Sequence, residues 1–181
     1  NLLKEVKPYL DKADIKVVNL ECPLAEERYV KPIIKSGPNL IGLPENLALL
    51  TEGGFDCAIL ANNHFGDMGE EASIRTLELL DDNRIAHIGG GRNIEEAYRA
   101  WRVVKDGIRL SFVAVCENEF GIADEGKAGS AGFSMKRTYD KIKEEKNASD
   151  FVVVIFHGGN EMNPVPSPGV CERYRLFTDF G

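Results

Sequence analysis

No apolar run in this sequence approaches the roughly 20 residues that a membrane-crossing helix needs. The longest, Phe151 to Phe156, has the length of one strand. A basic start followed by an apolar stretch is missing too, so no secretory leader is visible. Lys plus Arg number 22 against 29 Asp plus Glu, a net charge of −7. The basic excess or stripe of a nucleic-acid binder is absent. The four cysteines, Cys22, Cys57, Cys116 and Cys171, form no C-x-x-C pair, which argues against a zinc ribbon or a thioredoxin-type motif. Cys57 and Cys116 sit in apolar runs and read as buried small hydrophobes. The spread favours reduced thiols and hence a reducing, cytoplasmic compartment. The chain has no initiator Met, starts inside a helical pattern (Leu2 to Leu10) and stops at Asp179-Phe180-Gly181 without a visible closing element. It reads as a fragment or a trimmed chain.

What is present is an α/β pattern. Its 181 residues suffice to bury a core without a disulfide or metal staple. Apolar runs at Ile15–Leu20, Phe55–Ala61, Arg84–Ile88, Leu110–Cys116 and Phe151–Phe156 read as strands. Most are apolar throughout, as in strands covered on both faces. Helical patterns lie between them at Pro44–Leu50, Glu70–Asp82, Ile94–Trp101 and Met135–Lys146, the last capped by Ser134. Strands alternating with helices predict mainly parallel pairing. Glycine- and proline-rich loops occupy Ser36–Pro44, Gly121–Gly132 and Gly158–Gly169. No repeat or long linker interrupts the pattern.

Polar residues capable of chemistry follow the strands directly. The first strand runs into Glu21, the second into Asn62-Asn63-His64 with Asp67 beyond, the fourth into Glu117-Asn118-Glu119, and the fifth into His157-Gly158-Gly159-Asn160-Glu161. In an open α/β sheet, ligands bind at the carboxyl ends of the strands. These loops would bring Glu21, Asn63, His64 and His157 together, a donor set suited to a divalent Mn, Fe or Zn ion. Each residue also has a plainer reading. Asn62-Asn63 reads equally as a turn, His64 as an ordinary histidine, and Glu21, Glu117 and Glu119 as loop acids. His87, before a Gly89-Gly90-Gly91 run, reads as structural. That run with Asn93 resembles a phosphate cradle only loosely and matches no phosphate-loop motif.

The ordered elements Asn19-Leu20-Glu21-Cys22-Pro23-Leu24, Ser36-Gly37-Pro38, Ala61-Asn62-Asn63-His64-x-x-Asp67-x-Gly69, Gly89-x-Gly91-x-Asn93 and His157-Gly158-Gly159-Asn160-Glu161 resemble the CapA-type poly-γ-glutamate and capsule biosynthesis proteins. That family belongs to the calcineurin-like metallophosphatases. The resemblance implies an α/β fold with a β-sandwich flanked by helices in four α/β/β/α layers. It implies a single metallophosphatase-like domain over residues 1–181, truncated at both ends. Two elements of the family pattern, a Gly-Asp before the first helix and a Gly-His-x-Pro-His near the end, do not occur in this sequence.

The resemblance also implies roles. Glu21, Asn63 and His157 stand as metal ligands for one or two divalent ions (Mn, Fe or Zn). His64 contacts substrate or protonates a leaving group, and Asp67 orients it. Asn62, Glu117, Glu119 and Glu161 are expected to touch substrate. The substrate is an anionic polymer or a phosphoester, hydrolysed at a phosphoester or a γ-glutamyl amide by metal-activated water. Two other readings stay open: a non-catalytic protein binding the polymer, with Lys31–Lys35 as a local basic patch, and a nucleotide-binding domain using Gly89–Asn93. Family members are often exported or membrane-anchored, so the compartment stays open, as does the oligomeric state.

Overall fold

The computed structural model describes residues 2–181. Strands β1 (Val17–Asn19), β2 (Cys57–Ile59) and β3 (Ala86–Ile88) form a parallel sheet in that order. A second sheet places β6 (Ile108–Cys116) between β5 (Trp101–Lys105) and β8 (Phe151–His157), antiparallel to the first and parallel to the second. A short antiparallel pair joins β4 (Gly90–Gly91) to β7 (Gly129–Ser130). The helices are α1 (Lys7–Leu10), α2 (Leu47–Gly53), α3 (Gly69–Asp82), α4 (Ile94–Ala97), α5 (Met135–Ala148) and α6 (Pro168–Phe180).

Side-chain alternation along β2 builds the layers. Cys57, Ile59 and Ala61 point toward the second sheet and meet Phe112, Ala114 and Cys116 of β6. Ala58 and Leu60 point the other way, onto Leu47 and Leu50 of α2 and Leu77 and Leu80 of α3. On the far side of the second sheet, α5 packs on β6 and β8, and α6 lies beside α5. There Phe156 packs edge-on against Phe133 and beside Phe177 of α6. The four layers are therefore helix, sheet, sheet, helix, as expected. Burial, the main cause, pushes the thiols of Cys57 and Cys116 up to about 12, so both are packing groups at neutral pH.

Several expectations are corrected. Residues near Trp101 do not end a helix: α4 stops at Ala97 and Trp101 opens β5. The turn Asp106-Gly107 has positive φ at both positions, 51° and 83°, the backbone a tight hairpin needs. Its Asp-Gly signal reveals the antiparallel pair that a mainly parallel reading omits. The last residues, read as lacking an element, form a helix, α6, with Ser167 accepting a hydrogen bond from the Val170 amide and Pro168 in the first turn. The first helical pattern shortens to Lys7–Leu10.

The Gly89–Asn93 segment is not a phosphate cradle. Gly90 and Gly91 are buried and pair with Ser130 and Gly129. A side chain on Gly91 would lie 2.3 Å from the Ala97 backbone nitrogen. These glycines admit a close crossing of chain against chain, and Asn93 caps α4 by accepting from the Glu96 amide. The nucleotide-binding reading loses its site. The basic patch also dissolves: Lys31 pairs with Glu71, and the Lys35 side chain is buried.

Surface ion pairs add a pH dependence. Arg75 of α3 donates to both oxygens of Glu26, at 2.9 and 2.8 Å, and holds its carboxyl at about 2. A carboxyl lowered in the folded state stabilises above its ordinary value of 4.5, and that contribution is lost as pH falls toward 2. The urea midpoint is expected to fall over this window. Glu26→Gln should remove part of that slope while leaving the slope above pH 6 unchanged.

Candidate active-site cleft

The carboxyl ends of β1, β2, β6 and β8 lie along one edge of the two sheets, and a cleft of about 630 Å³ opens there. Glu21, Asn63, His64, Glu119, His157 and Glu161 all line it. Six of the nine expected site residues thus share one cavity. His157 Nε2 lies 3.6 Å from Glu21 Oε1. Asn19, whose part the sequence reading did not assign, donates through Nδ2 to Glu21 Oε2 at 2.8 Å and orients that carboxylate.

Asn63 Nδ2 donates to Glu119 Oε2 at 3.1 Å. Only the amide nitrogen can face a carboxylate, so this contact fixes the orientation of the amide. Its oxygen, Oδ1, is buried and takes no hydrogen bond among the described residues. A buried carbonyl without a donor is costly unless something else meets it.

His64 turns Nδ1 onto Asp67 Oδ2 at 2.7 Å, which leaves Nε2 as the ring nitrogen available to the cleft. Asp67 is fully buried and also accepts the Leu40 amide at 2.7 Å. The contact between His64 and Asp67 that the family resemblance implies is present in the structure. Its third member was missed: Lys35 Nζ lies 2.5 Å from Asp67 Oδ1 and 3.2 Å from His64 Nδ1. Nothing in the local sequence marks Lys35 as buried, because it stands 32 positions from Asp67.

Two expected substrate contacts are corrected. Asn62 is fully buried. Its Nδ2 donates to Asn19 Oδ1 and the Leu20 carbonyl, and its Oδ1 accepts the His64 and Phe65 amides. All of its amide capacity staples β1 to the turn after β2, so none faces a ligand. Glu117 does not line the cleft. Its Oε1 accepts from Arg173 of α6 at 3.0 Å and its Oε2 accepts the Gly159 amide at 3.3 Å. It ties the turn after β8 to the last helix, with Arg173 stacked over Phe133 and Phe156.

The donors the cleft offers an ion are Glu21, His157 and Asn63 Oδ1. Among the described residues no three His, Cys, Asp or Glu side chains group closely enough to hold a metal. The orphaned Asn63 oxygen fits a ligand role, and with it the set is a carboxylate, an imidazole and an amide carbonyl. Among the described residues no Lys or Arg lines the cleft, while three carboxylates do.

Layers of this kind with a strand-end cleft define a metallophosphatase-like α/β fold. A structure described as a candidate 5′-nucleotidase from Staphylococcus aureus, in complex with α-ketoglutarate, aligns with 98% of this chain and 36% of its own at a TM-score of 0.56 and 16% identity. The pattern of the family described as bacterial capsule synthesis protein PGA_cap matches residues 1–181, and the chain belongs to that family. The capsule biosynthesis protein CapA of Bacillus anthracis is 26% identical over 187 residues, covering 99% of this chain. The chain spans about half, 46%, of the length of that relative. No helix among the described residues is long and apolar enough to cross a membrane.

Proposed function

We propose that the cleft is the site of a metal-dependent hydrolase of capsule polymer metabolism, acting on a phosphoester or a γ-glutamyl amide. The observation that carries this reading is the buried, unpartnered Asn63 Oδ1 in a cleft that also presents Glu21 and His157. These three would hold a divalent ion. When bound, such an ion polarises a phosphoryl or carbonyl oxygen and lowers the pKa of a coordinated water. Asn19 orients the Glu21 carboxylate, and Glu119 orients the Asn63 amide. His64 handles a proton at Nε2, with Asp67 holding the ring in the tautomer that leaves this nitrogen free. Glu161, on the loop after β8, meets the substrate. An anionic substrate binds a wall of carboxylates only where cations offset them, which supports the same reading.

The absence of a three-residue His, Cys, Asp or Glu group among the described residues favours a second reading, an accessory protein that binds the polymer without turnover. Calorimetric titration with Mn²⁺ or Zn²⁺ separates the two when paired with assays on p-nitrophenyl phosphate and γ-glutamyl-p-nitroanilide. The hydrolase reading expects binding that Glu21→Gln or His157→Ala weakens about tenfold or more, together with turnover. Binding without turnover of either substrate class supports the accessory protein. No binding, with His157→Ala inert in every assay, removes the metal mechanism.

A further inference from the structure

The segment before the Ser36-Gly37-Pro38 turn buries the wrong residue by any hydrophobic criterion. Ile34 is fully exposed, while the side chain of its neighbour Lys35 is only 2% exposed. In an extended segment, successive side chains point to opposite sides, so a slip of one residue would bury Ile34 and free Lys35. The register is instead pinned by backbone bonds, with the Lys31 amide donating to the Met68 carbonyl and the Ile33 amide to the Asp67 carbonyl, each at 2.9 Å. Burying an ammonium is costly even when it is paired, and exposing an isoleucine gives up apolar burial. Stability alone does not account for this choice. What the buried ammonium meets is the carboxylate that holds the cleft histidine.

We propose that Lys35 is a positioning residue of the cleft. Its ammonium aims Asp67 so that Oδ2 takes the His64 Nδ1 proton and Nε2 is kept for chemistry. The inference rests on the reading of His64 as the proton-handling group. At 2.7 Å, Nδ1 and Oδ2 need a proton between them. Asp67 Oδ2 is already met by the Leu40 amide and by His64, and Lys35 forms an ion pair with the other oxygen, which takes no aligned hydrogen bond among the described residues. The carboxylate is thereby held from both sides, and its rotation about χ2 is blocked. The Phe120 ring, 5.4 Å from Nζ, closes the pocket over the ammonium. Lys35 touches neither Glu21 nor His157 among the described contacts; it reaches the cleft through Asp67 and through its 3.2 Å approach to His64 Nδ1.

The test is an NMR measurement on ¹⁵N-labelled protein stripped of metal by a chelator. The chain has three histidines, and a His64→Gln control assigns the signal. Wild type is expected to show a protected, downfield Nδ1 proton on His64. Lys35→Met is expected to lose it while the backbone amide spectrum stays native. A Lys35→Met protein with a native spectrum that keeps the proton overturns the proposal and makes Lys35 a plain structural ion pair. Where Lys35→Met does not fold, the wild-type spectrum decides. Cross-relaxation between the Lys35 ammonium and the His64 Nδ1 proton supports the positioning role, and its absence overturns it. Metal titration run alongside keeps the outcomes apart, because a protein that binds no metal yet loses the proton on substitution retains the positioning role and loses only the hydrolase.

Discussion

Asp67→Ala is expected to cost about 3–5 kcal/mol of stability, the range for removing one member of a buried ion pair. The side chain it abandons is the Lys35 ammonium, buried beside a histidine and an aromatic ring, with Asp67 its one carboxylate partner among the described residues. The Leu40 amide loses its acceptor as well. Urea denaturation of wild type, Asp67→Ala and the double variant Lys35→Met/Asp67→Asn measures the effect. The double variant leaves no buried charge and should recover most of the loss, because the sites are in contact and their effects are not additive. If hydrolysis is established, the single variant should also lower kcat about 10- to 100-fold, as loss of an orienting partner does, with KM little changed. A stability loss under about 1 kcal/mol would mean that Lys35 finds water on losing its partner, and the buried-pair account would fail.

The second large effect belongs to the opposite side of the molecule. Glu145 of α5 is 1% exposed in its side chain. Its Oε2 accepts from Arg102 Nε of β5 at 2.7 Å and from Ser111 of β6 at 2.8 Å, and its Oε1 accepts from Arg102 Nη2 at 2.9 Å. One carboxylate thus joins a helix to two strands. Burial pushes its pKa up, but the bonds from Arg102 and Ser111 outweigh burial and hold it below the usual carboxylate range. Its contribution is therefore present above its ordinary pKa and is lost as pH falls through the lowered folded value. Glu145→Ala should cost about 2–4 kcal/mol in urea denaturation at neutral pH. The lower part of that range reflects Arg102, which is 53% exposed and can turn to Glu144 or water. Glu145→Gln should cost less at neutral pH and give a flatter acid limb. An acid limb identical to wild type in that variant would dissociate Glu145 from the pH dependence.

The fold was legible where a single periodicity or a single punctuating residue carries the signal. The apolar runs around β2, β6 and β8 and the amphipathic patterns of α3 and α5 recur within a residue or two of their sequence bounds. Where competing local signals meet, the reading failed. Ile94 to Trp101 carries a helix start but crosses Ala97 into a strand, and only the Asp106-Gly107 turn with its partner strand resolves it. The Pro-Ser-Pro stretch before α6 reads as loop until Ser167 is seen capping the Val170 amide.

By itself the sequence determined the central strands β2, β6 and β8, the helices α3 and α5, and the location of polar residues at strand ends. All are local or periodic properties of the chain, written in residues close together. Tertiary structure decided which of those polar groups reach the cleft. Asn62 and Glu117 look as available as Asn63 and Glu119 in the sequence. Yet the first pair is consumed by Asn19, Leu20 and Arg173, while the second lines the cleft. Tertiary structure also carried Lys35 inward and turned Gly90 and Gly91 into a buried crossing. The reason is the same in each case. A donor, an acceptor or a charge is satisfied by whatever the fold brings within about 3 Å, and those partners stand tens of residues away.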